Sequence, residues 1–262
     1  MKAGVTTSAK LDEKGRQFAK QIALKEKLLY IERFNQPLHK LWGDFDVLYM
    51  WTTNGWYAET RDTSRHHFHP GTAMFRFKRW KLGEREPFLE ATDLQAGDSF
   101  LDCTLGLGSD CLMASLQVGK LGKVTGIEKS PISAFLFRQS QFSTDLGESL
   151  LNEALHRIEF YEIDALTFLK GQKNNSVDVV YLDPMFEELI EESTNFRSHH
   201  IIASKDQLSA EWMNEAIRVA KKRVVLKAHF RSELFAHYSF KRLARKSAKF
   251  HFGYIEKNKL SR

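Results

Sequence analysis

The chain has 262 residues, of which 42% are hydrophobic and 27% are charged, and its formal net charge is +6. This length suffices for one α/β core with a smaller additional region. No apolar run approaches the length of a transmembrane helix, and the polar first residues lack the apolar segment of a secretory signal. The composition therefore argues against a membrane protein and predicts a cytoplasmic one.

The N-terminal region shows helical periodicity over residues 10–29, followed by a hairpin pattern. Two strand-like runs, 47–51 and 56–58, flank a turn that ends in Asn54-Gly55, a strong hairpin signal. A helix is expected over residues 72–81, leading into residues 88–92. We therefore expect an N-terminal α+β region over residues 1–92, which binds the substrate.

From residue 93 to residue 262 the pattern becomes a regular alternation of strands and helices, which is typical of a parallel sheet covered on both faces. The fold class is therefore α/β, with a Rossmann-like sheet and a small N-terminal α+β addition. Residues 237–240 and 249–255 are expected to add two more strands, the last pair antiparallel. The other predicted strands are 99–104, 123–128, 157–162, 177–183 and 223–228, and the predicted helices are 108–118, 131–142, 164–170 and 206–220.

The first strand of this domain ends in a glycine turn that contains Gly106 and Gly108. Glycine lets the backbone approach a ligand closely, and the helix that follows offers free N–H groups. Cys111 stands where a dinucleotide fingerprint has its third glycine, which counts against NAD. Asp102 and Asp110 flank the turn, and their carboxylates suit the ammonium and sulfonium groups of S-adenosylmethionine.

Three further acidic residues follow predicted strands. Glu128 closes the second strand, where a Rossmann-type sheet places an acid that accepts ribose hydroxyl hydrogen bonds. Asp164 follows the third strand and can either accept a hydrogen bond from adenine or cap the next helix. Asp183 ends the fourth strand, and Pro184 stops that strand because proline cannot donate to a ladder. All these residues are expected at the same edge of one sheet.

On these motifs the chain resembles class I methyltransferases, and Asp183-Pro184-Met185-Phe186 is similar to the D/N-P-P-Y/F signature of enzymes that methylate base amines. Met185 departs from that signature. This variant resembles the bacterial small-subunit ribosomal RNA guanine methyltransferase J family, including its Gram-positive relatives, over residues 99–227. The resemblance implies S-adenosylmethionine as cofactor, with contacts at Ser109, Asp110, Glu128, Lys129, Asp164, Ala165 and Asp183.

The resemblance also implies ribosomal RNA, or the small ribosomal subunit, as partner. Asp183 and a carbonyl near Pro184 would hold the amine hydrogens, and Phe186 would stack on a base that is unpaired or flipped out. Other substrates of the same chemistry stay open, namely DNA, protein glutamine or a small molecule. A non-catalytic RNA-binding module and, more distantly, a nicotinamide oxidoreductase are the remaining alternatives.

Two basic clusters with interleaved aromatic residues are typical of nucleic-acid binding, although a solvated surface looks the same. They comprise Arg76, Lys78, Arg79, Lys81, Phe75, Phe77 and Trp80, and then Lys241, Arg242, Arg245, Lys246, Lys249, Phe240, Phe250 and Phe252.

We assign no catalytic or metal-binding role to the cysteines, the histidine cluster, Lys227 or the acidic run. Cys103 and Cys111 are expected to be reduced and buried. The histidines at 66, 67 and 69 lack a partner at ligand spacing, so no metal is expected. Lys227 ends the fifth strand and could reach a substrate phosphate, but a lysine at a strand end is more often merely exposed, and we expect the latter. The acidic run 187–192 is expected to form a solvated lid.

Overall fold

The computed structural model describes residues 1–68, 71–184, 208–246 and 248–257. These residues form two compact units. The first unit comprises residues 1–68 and 135–144, and the second comprises residues 71–134, 145–184, 208–246 and 248–257. Within the described ranges, no helix is both long enough and apolar enough to cross a bilayer.

The first unit is built on a five-stranded sheet of order β2-β1-β3-β4-β5. Strand β1 is parallel to β2 and to the central strand β3, whereas β4 is antiparallel to β3 and β5. One helix, α1, begins after Asp12, whose side chain accepts a hydrogen bond from the Gly15 N–H. The elements are β1 (Ala3–Thr7), α1 (Glu13–Lys25), β2 (Leu29–Tyr30), β3 (Val47–Thr52), β4 (Gly55–Thr60) and β5 (Arg65–His67).

The predicted hairpin is confirmed, with Thr52 paired to Gly55 and φ of Gly55 at 104°. The helix predicted over residues 10–29 is confirmed only as far as Lys25. The chain turns at Lys27, which has a φ of 56°, and Leu29 then enters β2. Strand β1 was not predicted, because a strand of five residues is defined by partners that are distant in sequence.

The second unit contains the expected alternation of strands and helices. Helix α5 begins in this unit, and its residues from Phe135 onward belong to the first unit. The elements are α2 (Gly71–Lys81), α3 (Pro87–Thr92), β6 (Ser99–Asp102), α4 (Ser109–Val118), β7 (Lys123–Glu128), α5 (Pro131–Ser143), α6 (Ser149–His156), β8 (Glu159–Glu162), α7 (Ala165–Lys170), β9 (Val177–Leu182), α8 (Ala210–Val219), β10 (Ala220–His229), α9 (Leu234–His237), β11 (Lys241–Leu243) and β12 (Phe250–Glu256).

These strands form a seven-stranded sheet of order β11-β12-β10-β9-β6-β7-β8. Strands β6 to β10 run parallel to one another, and β12 is antiparallel to both β10 and β11. The Rossmann-like prediction is confirmed. The chain order reverses between β6 and β9, and ligands of such sheets bind outside the carboxyl ends of the strands at this reversal.

The predicted strand over residues 237–240 is wrong. His237 ends helix α9, Ser239 adopts a φ of 58°, and the penultimate strand begins only at Lys241. The final strand is confirmed as β12. A local sequence of aromatic and polar residues did not reveal that the Phe240 side chain is buried under a turn.

The division into two units differs from the expected boundary at residues 92 and 93. Helix α2 packs on α4, and α3 packs on β10, β12 and α4. Both helices therefore belong to the second unit, because the apolar side chains of Phe77 and Phe88 are buried there. The region 1–92 stays a prediction about where substrate is bound.

The two faces of the larger sheet have different cores. On one face, Val180, Leu182 and Leu226 pack with Trp212 and Met213 of α8. The other face is aromatic: Tyr181 lies between Phe100 and Phe88, with ring centroids 5.8 Å and 5.3 Å away. This alternation along β9 and β10 directs the odd-numbered side chains Tyr181 and Lys227 to the same face.

We expect Gly122→Ala, in the turn between α4 and β7, to lower the free energy of unfolding by about 1–3 kcal/mol. An added Cβ would lie 2.4 Å from Val118 Cβ and 2.8 Å from the carbonyl oxygen of Asp98, and a backbone carbonyl cannot yield cheaply. Gly171→Ala is the control, since its nearest neighbour, the Phe168 carbonyl, is 3.4 Å away. Urea unfolding measures both variants, and equal transition midpoints would contradict the expectation.

Candidate active site

The predicted acidic residues lie together at the carboxyl edge of the larger sheet. Asp102 ends β6 and Glu128 ends β7, while Asp164 lies two residues after β8 and Asp183 directly follows β9. Asp102 is paired with Gly126 of β7 on one side and with Tyr181 of β9 on the other. Because these four strands are parallel neighbours, their carboxyl ends meet at one edge.

The glycine turn is held against β7 by hydrogen bonds. Gly106 and Gly108 adopt φ values of 54° and 78°, which favour glycine, and Gly108 caps α4. The Gly106 N–H donates to Glu128 Oε2 at 2.8 Å, and the Ser130 N–H donates to Oε1 at 2.7 Å. Burial raises the pKa of Glu128 to about 6. One carboxylate therefore fixes the turn and the start of α5.

Asp102 is fully buried behind the glycine turn. Its Oδ1 accepts hydrogen bonds from the Thr104 N–H at 2.8 Å and the Thr104 hydroxyl at 3.1 Å. Burial, followed by the negative charge of Asp110, raises the pKa of Asp102 to about 7. Cys111 donates to Oδ2 at 3.5 Å, and Cys103 and Cys111 are free, buried thiols, as predicted.

A network of charges surrounds Asp110 at the start of α4. Its Oδ1 accepts from Arg76 Nη1 at 2.6 Å, and its Oδ2 accepts from the Tyr181 hydroxyl at 2.8 Å and from Lys227 Nζ at 3.3 Å. Lys227 Nζ also donates to Asp183 Oδ2 at 2.6 Å. The ammonium group of Lys227 thus joins Asp110, at the start of α4, to Asp183, after β9. We call Asp110, Arg76, Tyr181, Lys227 and Asp183 the charge network.

The charge network sets the ionisation of its members. Burial opposes the charged form of Asp110, but Lys227 and Arg76 outweigh it and lower the pKa of this carboxyl well below its ordinary value. Burial raises the pKa of Asp183, while Lys227 limits the rise. Lys227 itself has a raised pKa, because Asp110 and Asp183 outweigh its own desolvation. Asp110 and Lys227 are therefore charged near neutral pH, and the Lys227 ammonium stabilises the charged form of Asp183.

The expectation that Lys227 is merely exposed is wrong, since it binds two carboxylates and is partly buried. Arg76 was assigned to a basic surface cluster, but it lies inside, bound to Glu86 at 2.8 Å and to Asp110. Tyr181 and Thr104 were not predicted to take part. The available signal was a lysine directly after the apolar run 224–226, and a tyrosine two residues before Asp183.

Backbone contacts also position Asp183. Its N–H donates to the Thr104 hydroxyl at 2.8 Å, which links the end of β9 to the turn after β6. Pro184 follows it and is buried. Phe186, Met185, the histidine at 69 and the acidic run 187–192 lie outside the described residues.

The capping role of Asp164 is confirmed. Its Oδ1 accepts from the Thr167 N–H at 2.8 Å at the start of α7, and Thr167 lowers its pKa although burial opposes this. Lys129 Nζ lies 3.7 Å from Asp164 Oδ2, and Ala165 is the buried first residue of α7. The adenine contact at Asp164 and Ala165 stays a prediction.

Much of the predicted basic and aromatic surface is exposed, but four of its members are internal. Phe77, Phe240 and Phe252 are buried core residues and Arg76 belongs to the charge network. They cannot stack on bases. The exposed members are Phe75, Lys78, Arg79, Lys81, Lys241, Arg242, Arg245, Lys246, Lys249 and Phe250.

The site residues fit S-adenosylmethionine. The Ser109 hydroxyl, at the first position of α4, is buried and has no hydrogen-bond partner among the described residues, so it is available to a ligand. Next to it, a Cβ added at Gly106 would meet nothing closer than 3.9 Å, which leaves open space at the turn. Glu128 and Asp102 provide carboxylates at the same edge for a ligand that carries hydroxyl groups and positive charge.

This topology, with a glycine turn and acids at the carboxyl edge, defines a class I methyltransferase fold. Residues 58–252 match the SAM_MT family of SAM-dependent methyltransferases. The solved methyltransferase NGO1261 of Neisseria gonorrhoeae is similar in fold, with a TM-score of 0.61, 18% identity and coverage of 97% of this chain and 96% of that one. The chain belongs to the SAM-dependent methyltransferase family, and its cofactor is S-adenosylmethionine.

Two kinds of relative are similar in sequence. The uncharacterized protein YpiP of Bacillus subtilis is 40% identical over 254 residues, which cover 96% of this chain and 98% of the relative. The ribosomal RNA small subunit methyltransferase J of Idiomarina loihiensis is 26% identical over 236 residues, covering 85% of this chain and 86% of the relative. The enzyme of the same name in Laribacter hongkongensis is 32% identical, and the match spans about half of each chain, 55% and 52%.

We expect Asp102→Asn to change how stability depends on pH. The pKa of Asp102 is about 7 in the folded protein, above its ordinary 3.8, so the folded state holds the proton more tightly. Asp102 therefore lowers stability as the pH rises from about 4 to about 7. Relative to the wild type, the variant should gain on the order of a few kcal/mol in unfolding free energy between about pH 5 and about pH 8. Urea unfolding at each pH measures this difference, and a difference independent of pH would rule the assignment out.

Proposed function

We propose that this methyltransferase transfers the methyl group to the exocyclic N2 amine of a guanine in ribosomal RNA, with the small ribosomal subunit or its RNA as partner. The observation that carries the proposal is the position of Asp183. It follows β9 at the reversal of the sheet, in the sequence Asp-Pro-Met-Phe, and is fixed by Thr104 and Lys227. Relatives named ribosomal RNA small subunit methyltransferase J support the choice of substrate.

An exocyclic amine is a poor nucleophile because its lone pair is conjugated with the ring. The protein must therefore hold this amine in line with the methyl group that the bound cofactor supplies, and such positioning can contribute several kcal/mol. Lys227 binds Asp183 Oδ2, and we assign Oδ1 to accept one amine hydrogen. A carbonyl near Pro184 accepts the second hydrogen, and Phe186 stacks on the base.

Charge favours the same reaction. The amine gains positive charge as it is methylated, and an ionised Asp183 beside it stabilises that charge. The Lys227 ammonium favours the ionised form of Asp183, although burial still leaves the pKa of this carboxyl raised. Because Lys227 is shared with Asp110, its charge is balanced by two carboxylates rather than directed at the amine.

The Asp183→Ala variant is expected to lose methyl transfer by at least about a hundredfold, with cofactor affinity reduced only modestly, because the amine loses its acceptor. Asp178→Asn is the matched control. Asp178 lies on the same strand, at its amino end, where it accepts hydrogen bonds from Ser99. Transfer from labelled S-adenosylmethionine measures activity, and calorimetry measures cofactor affinity. Full activity of the Asp183→Ala variant would refute the role of Asp183.

The substrate is tested with ribosomal subunits from a strain that lacks this protein. We expect the purified protein to label small-subunit RNA, and nucleoside analysis of the product to yield N2-methylguanosine. Subunits from a strain that contains the protein are the control and should accept little label, since the position is already methylated. Label in protein, in DNA or in another nucleoside would contradict the proposed substrate.

A further inference from the structure

Three aromatic rings lie together beyond Lys227, where β10 ends. His229 is the last residue of β10, Phe230 follows it, and Phe250 begins β12 opposite His229. The ring centroid of His229 lies 4.5 Å from that of Phe230 and 6.0 Å from that of Phe250. The Phe230 N–H donates to the Lys249 carbonyl at 2.8 Å, which fixes the two chain segments to each other. We call His229, Phe230 and Phe250 the aromatic platform.

The aromatic platform lies at the same sheet edge as the charge network. Strand β10 is parallel to β9, with Leu226 opposite Leu182, so the residues after Leu226 extend past the end of β9. Lys227, which binds Asp183, and His229 are two residues apart on one strand and therefore share a face, about 7 Å from each other. If the target base of an RNA chain lies at Asp183, the neighbouring nucleotide of that RNA can reach the aromatic platform.

The platform is exposed and its surroundings are positively charged. The side chains of Phe230 and Phe250 are 37% and 40% exposed. The guanidinium of Arg231 lies 5.1 Å from the Phe230 ring, and Lys249 adjoins Phe250. Residues 241–249 include five Lys or Arg residues and no acidic residue. Exposed rings among cations suit bases joined by phosphates, because bases stack on aromatic faces while phosphates bind the cations.

We propose that the aromatic platform stacks the base next to the target base of a single-stranded RNA, while Arg231 and Lys249 bind its phosphates. The placement of the stacked base next to the target base rests on the proposed function. The binding of single-stranded RNA by the platform does not depend on it. Stacking on aromatic side chains is sequence-tolerant and is lost when bases are stacked within a duplex. The platform therefore selects unpaired RNA.

The test compares binding of a fluorescein-labelled single-stranded RNA of about 12 nucleotides with binding of its blunt duplex, by anisotropy at one salt concentration. The Phe230→Ala/Phe250→Ala double variant should bind the single strand about tenfold to a hundredfold more weakly. Its affinity for the duplex should change by less than about threefold, and its affinity for S-adenosylmethionine should not change. Phe142→Ala, which removes a 70% exposed phenylalanine from α5, is the control and should bind like the wild type.

A second variant guards against misfolding: Phe230→Tyr/Phe250→Tyr keeps both rings and should retain single-strand affinity. Equal single-strand affinity of the alanine variant and the wild type, or equal losses on single strand and duplex, would overturn the platform. Methyl transfer to guanine is measured alongside. Ring-dependent RNA binding without guanine methylation would refute the proposed function and leave the platform intact, whereas methylation with ring-independent binding would refute the platform alone.

Discussion

One ammonium group holds the active edge of this protein together. Parallel strands and the start of α4 bring Asp102, Asp110 and Asp183 to one place, where burial makes several negative charges costly. Lys227 binds Asp110 and Asp183 at the same time, and Arg76 binds Asp110 from the other side. Removing one partner from such a buried set typically costs about 3–5 kcal/mol. Burial raises the pKa of the third acid, Asp102, to about 7, so this carboxyl takes up a proton near neutral pH.

The other features of the site depend on this arrangement. Thr104 links the two sides, because it donates to Asp102 and accepts from the Asp183 N–H. Glu128 fixes the glycine turn through the Gly106 N–H, and so the start of α4 and its Ser109 hydroxyl are set in place. The cofactor loop and the residue proposed to hold the amine are thus parts of one hydrogen-bonded unit. Thr104 joins Asp183 to Asp102, and Lys227 joins Asp183 to Asp110.

Much of this could be predicted from the sequence, because the signals are local. The strand and helix alternation, the glycine turn and the strand-end acids each depend on residues close in the chain, and Asn54-Gly55 marked the hairpin directly. Strand β1 and the Arg76 contact could not be predicted in the same way, since their partners lie far along the chain. Arg76 and Phe77 also look like a basic surface in sequence, yet tertiary packing buries both. Lys227 was visible in the sequence as a lysine directly after the apolar run 224–226, but its two partners became evident only from the topology.

The most direct test of the account is calorimetry of S-adenosylmethionine binding near pH 7, in two buffers with different ionisation enthalpies. If the sulfonium binds beside the glycine turn, its positive charge lowers the pKa of Asp102 and a proton is released. We predict one cofactor per chain and heats that differ between the buffers by the ionisation enthalpy of the proton released. Less proton release is expected for S-adenosylhomocysteine, which lacks the sulfonium charge. Absence of binding, or identical heats in both buffers, would contradict the account.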